Sequence, residues 1–513
     1  MQHLTVVKMI DRKQNLFCLA LILCVCALNF SAWRASAFAL LGPYESWMTT
    51  TNGFQFVGDI GGPMNIGEGY RWNVPVVTYA FDPSFENFFG SNGVVAVESA
   101  IQILNNLPPA SQLDPNAYPL NTTSGNYVAN AQGLIDLKSE TLFLLLQQLG
   151  LAQPLRYMFC VHDFSIADGN TNVNVILRNF DPFSYGAANV LNGSLYTSNL
   201  IWRINEGIWP ASVIIYAIPV YPLVQNPAVA DGLAGSSPGL FYTGLTRDDT
   251  GGLRYLLQTN NLHFETLLPD VHGTGVNSNN YVNLALRGGV DKITFVPESL
   301  NYDFLNGEFI TPVTNRYTDI YVTNGVWMQQ QLERVSSRPD FLFTAVDGAG
   351  QVPVTVECTG VSNWLNNAGV NGNSDMAGPG TIRPQVTIAF PKYGLNAIVI
   401  TSDPYGLIEA SNERWGSFDA STNPPVIYPA GTTGGTGNPW TIHLSLLNTN
   451  YQPLRGGYFT WQLPVSLGAA VNLETSTNLT DWTPLTTVMN YGVPLLWEHL
   501  YSRPAEYFRA TPQ

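Results

Sequence analysis

The chain has 513 residues, enough for several domains with a buried core, and only 12% of them are charged, against roughly 25% in ordinary globular proteins. The formal net charge is −15 at pH 7, which excludes nucleic acid and anionic membranes as partners, because both need clustered positive charge. Apolar residues at 45% and aromatic residues at 12% exclude a disordered chain.

Residues 1–37 have the features of a secretory signal peptide. Basic residues precede an apolar run from Leu16 to Leu28, and Ala35-Ser36-Ala37 supplies the small residues that signal peptidases need for cleavage before Phe38. The run is shorter than the about 20 residues that span a bilayer, so we expect cleavage rather than an uncleaved anchor. The sequence therefore predicts a secreted or cell-surface protein, in the periplasm or outside the cell, with no membrane insertion after cleavage.

A strand and a helix are predicted after this segment. Residues 38–70 are glycine-rich and predict few strands. The β-branched and aromatic run Val74–Asp82 is typical of a strand. From Val94 to Leu104 apolar residues recur at helical spacing, and Pro108-Pro109 ends the pattern.

One buried helix is predicted within Asp136–Pro154. Asp136 suits the N-cap, and apolar residues follow on nearly every face. Gly150 can adopt the left-handed conformation that ends a helix, and Pro154 prevents the helix from resuming. A loop-rich stretch with strand-like runs follows over 156–239, and a further helix is predicted within Leu245–Leu257.

The helix within 136–154 resembles the active-site helix of zincin metallopeptidases of the matrixin kind, whose motif is HExxHxxGxxH. Gly150 stands at the glycine of the motif. The ligand and base positions are all substituted, and the residues found there are Phe143 for the first histidine, Leu144 for the glutamate, Gln147 for the second histidine and Gln153 for the third. The strand and helix before it and the helix within 245–257 also resemble matrixin elements, in the same order.

This resemblance implies a zincin-like α/β domain over residues 38–265, with a long insertion, whose metal chemistry is lost. Phe143 has no lone pair to offer, and Leu144 cannot act as a base. The amide oxygens of Gln147 and Gln153 are poor zinc ligands beside imidazole. We therefore predict no catalytic residue and no metal at these positions. A core helix that matches the motif by chance is the alternative.

The rest of the chain predicts β structure. The composition changes near 265–285, and alternating residues beyond it predict a mostly-β, sandwich-like middle domain over 285–430. The run over 326–334 suits a short helix or a strand. A linker over 432–439 leads to a module over 440–513 that resembles a small β-sandwich at the C-termini of exported bacterial proteins. The predicted fold class is α+β and multidomain.

Three further features have a structural and a functional interpretation each. Cys160 and Cys358 remain after signal removal and either form a disulfide or are buried separately. The neighbours His162 and Asp163 favour a structural hydrogen bond over a catalytic pair. Asp168–Asn174 has oxygen side chains on alternate residues but lacks the central glycine and the final glutamate of a calcium loop. We expect a polar turn and no cofactor there, with a structural Ca²⁺ as the alternative.

Two functions follow. The vacant motif favours an exported, non-catalytic protein with a surface-structural or binding role. Many tryptophan, tyrosine and asparagine side chains and few charges suit glycans or cell-surface components as partners. The alternative is a secreted hydrolase whose catalytic residues lie outside the vacant motif.

Overall fold

The computed structural model describes residues 37–56, 59–167, 170–203, 212–221, 225–232, 237–275, 278–346, 364–366, 379–392, 398–400, 408–410, 414–429, 441–442, 458–463, 470–476, 481–489, 495–500 and 507–512. These residues form an α+β fold, as predicted, with several sheets. No helix among them is long and apolar enough to cross a membrane. Most of the predicted signal peptide and the predicted linker over 432–439 lie outside the described residues.

The α-helices of the described chain are α1 Pro83–Asn105, α2 Tyr127–Ala131, α3 Leu137–Gln148, α4 Pro154–Tyr157 and α5 Arg247–Leu257. The strands as far as residue 260 are β1 Phe38–Gly42, β2 Gly62–Met64, β3 Tyr70–Arg71, β4 Val76–Phe81, β5 Thr123–Gly125, β6 Leu134–Asp136, β7 Leu151–Ala152, β8 Phe159–Ala167, β9 Asn170–Leu177, β10 Asn179–Phe180, β11 Val190–Leu191, β12 Ser194–Arg203, β13 Ser212–Pro219 and β14 Leu240–Tyr242.

The strands after residue 260 are β15 His263–Thr266, β16 Val271–Gly273, β17 Leu284–Arg287, β18 Thr294–Pro297, β19 Tyr302–Asp303, β20 Glu308–Phe309, β21 Val313–Thr323, β22 Val326–Ser336, β23 Phe341–Val346, β24 Trp364–Asn366, β25 Gly380–Ile382, β26 Val386–Pro391, β27 Ile398–Ile400, β28 Ile408–Ala410, β29 Arg414–Ser417, β30 Val426–Ile427, β31 Thr441–Ile442, β32 Tyr458–Leu463, β33 Ala470–Ser476, β34 Thr483–Met489, β35 Leu495–Leu500 and β36 Tyr507–Pro512.

A parallel sheet of order β18-β4-β23-β26 forms the centre of the fold. Its strands are short apolar runs, as expected of parallel strands that are covered on both faces. The helix α1, which is broken at Gly90, packs on the sheet: the ring of Phe85 lies 5.8 Å from that of Phe390 and 6.5 Å from that of Phe343. The predicted strand and the predicted helix before residue 105 are thus confirmed.

This sheet joins segments that the sequence assigned to different domains. The strand β4 pairs with β18 and β23, which follow it by more than 200 residues, and β29 pairs in parallel with β6. The predicted ranges 38–265 and 285–430 are therefore not separate domains in the described chain. The prediction failed because the alternation within a strand identifies the strand but carries no information about a distant parallel partner.

The strand β1 was also missed. All five of its residues are buried, and it pairs with β2, β7 and β10. The expectation of few strands in residues 38–70 is wrong at its first segment. A five-residue run without alternation gives no periodic signal, so only its tertiary contacts reveal it.

An antiparallel sheet of order β15-β17-β21-β22-β16 packs beside the central sheet. Its two long strands follow the predicted alternation, and residues 326–334 form part of a strand rather than a helix. Near the C-terminus the order β31-β36-β33-β34 and the pair β32–β35 are antiparallel, so the described part of the predicted 440–513 module consists of β structure.

The helix predicted within 136–154 is confirmed as α3. The carboxylate of Asp136 accepts hydrogen bonds from Ser139 N at 2.9 Å and Ser139 Oγ at 2.6 Å, which caps the first turn. Gly150 ends the helical segment with a φ of 105°, and its backbone lies so close to Tyr70 that a Cβ would sit 2.1 Å from the Tyr70 carbonyl oxygen. Both the conformation and the space therefore require glycine.

We expect Gly150→Ala to destabilise the protein by more than about 3 kcal/mol, because the methyl group meets backbone that cannot move aside. Gly67→Ala is the matched control. Its φ is 85° and no atom lies within 4 Å of the added methyl group, so it should cost only the conformational strain of about 1 kcal/mol. Chemical unfolding of both variants measures the difference, and equal losses would contradict this account of the helix end.

Candidate functional site

The vacant motif positions belong to the hydrophobic core. Phe143 is 9% exposed, Leu144 1% and Gln147 5%. Gly232 lies on the ring of Phe143, since a Cβ at Gly232 would be 2.9 Å from it. Gln153 precedes α4 and its side chain does not cap that helix. The segment around Gly232 therefore covers Phe143.

The other residues that the sequence singled out lie apart from one another. Cys160 is buried, burial raises the pKa of its thiol to about 12, and it forms no disulfide with any described residue. Cys358 lies outside the described residues, so the disulfide stays a prediction. His162 Nδ1 lies 2.6 Å from Asp163 Oδ2 at the surface. Asp168 also falls outside, and no group of three metal-binding side chains occurs in the described ranges.

The sequence did not reveal a group of buried acids around α3. Burial raises the pKa of Glu140 to about 8 and that of Asp231 to about 7. Burial raises the pKa of Asp136 to about 6, although hydrogen bonds from Ser139 oppose this effect. Glu140 Oε2 has no hydrogen-bond partner in the described structure, so a proton on this carboxyl group costs less than a buried charge.

A pocket opens between two strands of the five-stranded sheet. The strand β17 pairs with β21 only at Leu286 and Arg287. The chain then turns away, because Gly289 N donates to Gln258 O at 3.0 Å and Asp291 N to Leu257 O at 2.8 Å. A Cβ at Gly288 would lie 1.9 Å from Thr259 O, so only glycine permits this close approach. We call the resulting gap the split pocket.

The split pocket has a volume of about 220 Å³. Three of its lining residues carry a buried oxygen without a partner in the described chain, namely Asn73 Oδ1, Glu265 Oε2 and Tyr317 Oη. Buried polar atoms in folded proteins are normally hydrogen-bonded. These three atoms are therefore available to a ligand that donates hydrogen bonds.

The charges at the bottom of the split pocket balance. Arg71 Nε lies 2.8 Å from Glu265 Oε1, and Arg287 Nε lies 2.9 Å from Asp319 Oδ1. Burial raises the pKa of Glu265, and Arg71 opposes the rise. Both guanidinium groups also donate to backbone carbonyl groups, Arg71 to Leu256 and Arg287 to Glu265 among others. The arginine side chains are thus occupied, and the pocket is suited to a neutral ligand.

An apolar rim surrounds this polar interior. Trp327 is 54% exposed and Ile320 is 51% exposed, and both line the split pocket. An exposed indole face beside hydrogen-bonding oxygens is suited to a ligand with one apolar and several polar surfaces.

Sequence reasoning missed the split pocket, although two signals for it are present. The pair Gly288-Gly289 directly follows an alternating strand, which marks a close backbone approach. Glu265, Arg287 and Asp319 occupy the inward positions of their strands in a chain with few charges, which marks buried polar chemistry. Comparisons with protein-family models, with curated proteins and with solved structures gave no match.

The raised pKa values of Glu140 and Asp231 predict that stability increases as the pH falls from 8 to 6.5. In this range the folded protein holds protons that the unfolded chain has lost, so acidification favours folding by about 1–2 kcal/mol for Glu140. Burial lowers the pKa of His263 to about 3, which costs stability below about pH 6.5 and sets the lower limit of the range. Chemical unfolding at both pH values measures the change.

Glu140→Gln should reduce this pH dependence, because the amide cannot titrate. Glu86→Gln, at an exposed position of α1, is the control and should leave it unchanged. A pH dependence that survives Glu140→Gln intact would show that Glu140 does not titrate as described.

Proposed function

We propose that this protein is an exported, non-catalytic binding protein that holds a neutral, hydroxyl-rich ligand, such as one sugar residue of a glycan, in the split pocket. The observation that carries the proposal is the convergence of three unpartnered buried oxygens beside an exposed tryptophan. Sugar hydroxyl groups donate hydrogen bonds to such oxygens, and the C–H face of a sugar ring packs on an indole.

The size and the charge of the pocket support the same ligand class. A cavity of about 220 Å³ is smaller than the roughly 300–1,000 Å³ of pockets for drug-sized ligands, so it suits a single ring rather than a long chain. The paired charges of Arg71 with Glu265 and of Arg287 with Asp319 leave no net charge to attract an ionic ligand.

The pseudo-zincin origin of the scaffold is part of this proposal. The capped helix α3, the glycine at position 150 and the apolar or amide side chains at positions 143, 144, 147 and 153 support it. On this view the covering segment around Gly232 fills the former substrate side of the helix. Export by the signal peptide and retention at the cell surface or release from it belong to the same proposal.

A secreted glycoside hydrolase is the second candidate, because two carboxyl groups in different environments line one pocket. Asp319 accepts hydrogen bonds from Arg287 and Gln330, which favour its charged form. Burial raises the pKa of Glu265. A protonated acid beside an ionised carboxylate is the arrangement that glycosidases use.

A panel of methyl glycosides of neutral hexoses and N-acetylhexosamines, screened by saturation-transfer NMR and followed by calorimetry, tests the proposal. We expect at least one glycoside to bind. Trp327→Ala should weaken its binding about 10-fold or more, because the stacking surface is lost. Tyr317→Phe and Glu265→Gln should each weaken binding about 5- to 20-fold through one lost hydrogen bond.

Trp202→Ala is the matched control, since Trp202 is 47% exposed and does not line the split pocket. It should leave binding unchanged. Failure of every glycoside to bind, or equal effects of the two tryptophan variants, would contradict the proposal. Release of an aryl aglycone by the wild-type protein but not by Glu265→Gln would favour the hydrolase instead.

A further inference from the structure

The first described residues lie in the interior of the protein. Ala37 is 0% exposed and Phe38 is 1% exposed, and the strand that they begin pairs on both sides. The ring of Phe38 packs on Tyr255 of α5 at 5.6 Å. A Cβ at Gly252 would lie 3.1 Å from the Cβ of Phe38, so α5 and the start of β1 are in close contact.

A buried carboxylate faces this point. Asp248 is 0% exposed and stands in the first turn of α5. Its Oδ2 accepts hydrogen bonds from Ala37 N at 2.8 Å and from Asn192 N at 2.6 Å. Asn192 is also buried, and its side chain bonds to Thr246, the N-cap of α5. Several buried groups thus fix the carboxylate against the backbone nitrogen of Ala37.

The predicted cleavage site lies at this same position. Hydrolysis of a peptide bond by a signal peptidase consumes one water molecule, leaves a carboxylate on the removed leader and leaves an amine on the retained chain. An α-amino group has an ordinary pKa near 8, so most of it is protonated at pH 7. Processing therefore creates a positive charge where the structure has placed a buried negative one.

We propose that the mature chain begins at Ala37 or Phe38 and that its new α-ammonium group forms a buried ion pair with Asp248. If Ala37 is retained, the ammonium group takes the place of the Ala37 N–H. If Ala37 is removed, the ammonium group of Phe38 lies one residue further along β1, about 3.8 Å by Cα spacing. Removal of the leader then completes the core, and the unprocessed chain is less stable.

This inference rests on the proposed export, and two measurements separate them. The mass of the exported, purified protein identifies its first residue. For the second, the whole chain is fused after a removable partner whose protease leaves either Ala37 free or two extra residues before it. Thermal unfolding then compares the free and the extended start in the wild type, in Asp248→Asn and in Asp231→Asn.

We expect extension to lower the unfolding midpoint of the wild type by about 5 °C, because it replaces the ammonium group with an uncharged amide. Asp231→Asn is the matched control, since Asp231 is a buried carboxylate that accepts two backbone N–H groups away from β1. Its loss on extension should equal that of the wild type. In Asp248→Asn the loss should fall below about half of this value.

If Asp248→Asn does not fold, acetylation of the free Ala37 amine in the wild type replaces it and should lower the midpoint by a similar amount. An equal loss in Asp248→Asn and the wild type, or no loss on acetylation, would overturn the ion pair. A retained leader would overturn both the export and this inference but would not affect glycoside binding. Loss of glycoside binding alone would leave the ion pair standing.

Discussion

Buried arginine–carboxylate pairs join the two main sheets, and the rest of the fold depends on them. The carboxylate of Asp340, at the start of β23, accepts hydrogen bonds from Thr78 N at 2.8 Å and from Arg334 Nη1 at 2.9 Å. Arg334 also reaches Asp270 at 2.8 Å. Asp340 therefore connects the central parallel sheet to β22. Removal of one partner from such a pair leaves an uncompensated buried charge, which costs about 3–5 kcal/mol.

The same constraint determines the chemistry of the split pocket. Arg71 and Arg287 hold Glu265 and Asp319 in the layer between the sheets, and each guanidinium group is occupied by several acceptors. The glycine pair at 288 and 289 then directs the chain away from β21 and exposes this layer to solvent. The pocket is therefore polar but uncharged overall, which is the basis of the proposal that a hydroxyl-rich ligand binds there.

The sequence predicted the elements whose signals are local. The helix α3 follows from its cap at Asp136 and its end at Gly150, and β21 follows from alternation. The parallel pairing of β4 with β18 and β23 could not be predicted, because no local signal identifies a partner more than 200 residues away. The split pocket depends on that pairing and on the path of the chain after Arg287, so its residues could be recognised as unusual but not brought together.

The central claim is that the segments before and after residue 280 form one cooperative unit around the parallel sheet. Hydrogen exchange of the mature chain, resolved to single amides, tests it most directly. The account predicts that β4, β18, β23 and β26 share one opening free energy and that Asp340→Asn lowers it equally in all four. Exchange of β18, β23 and β26 while β4 and α3 remain protected would contradict it, because that is the behaviour of two separate domains.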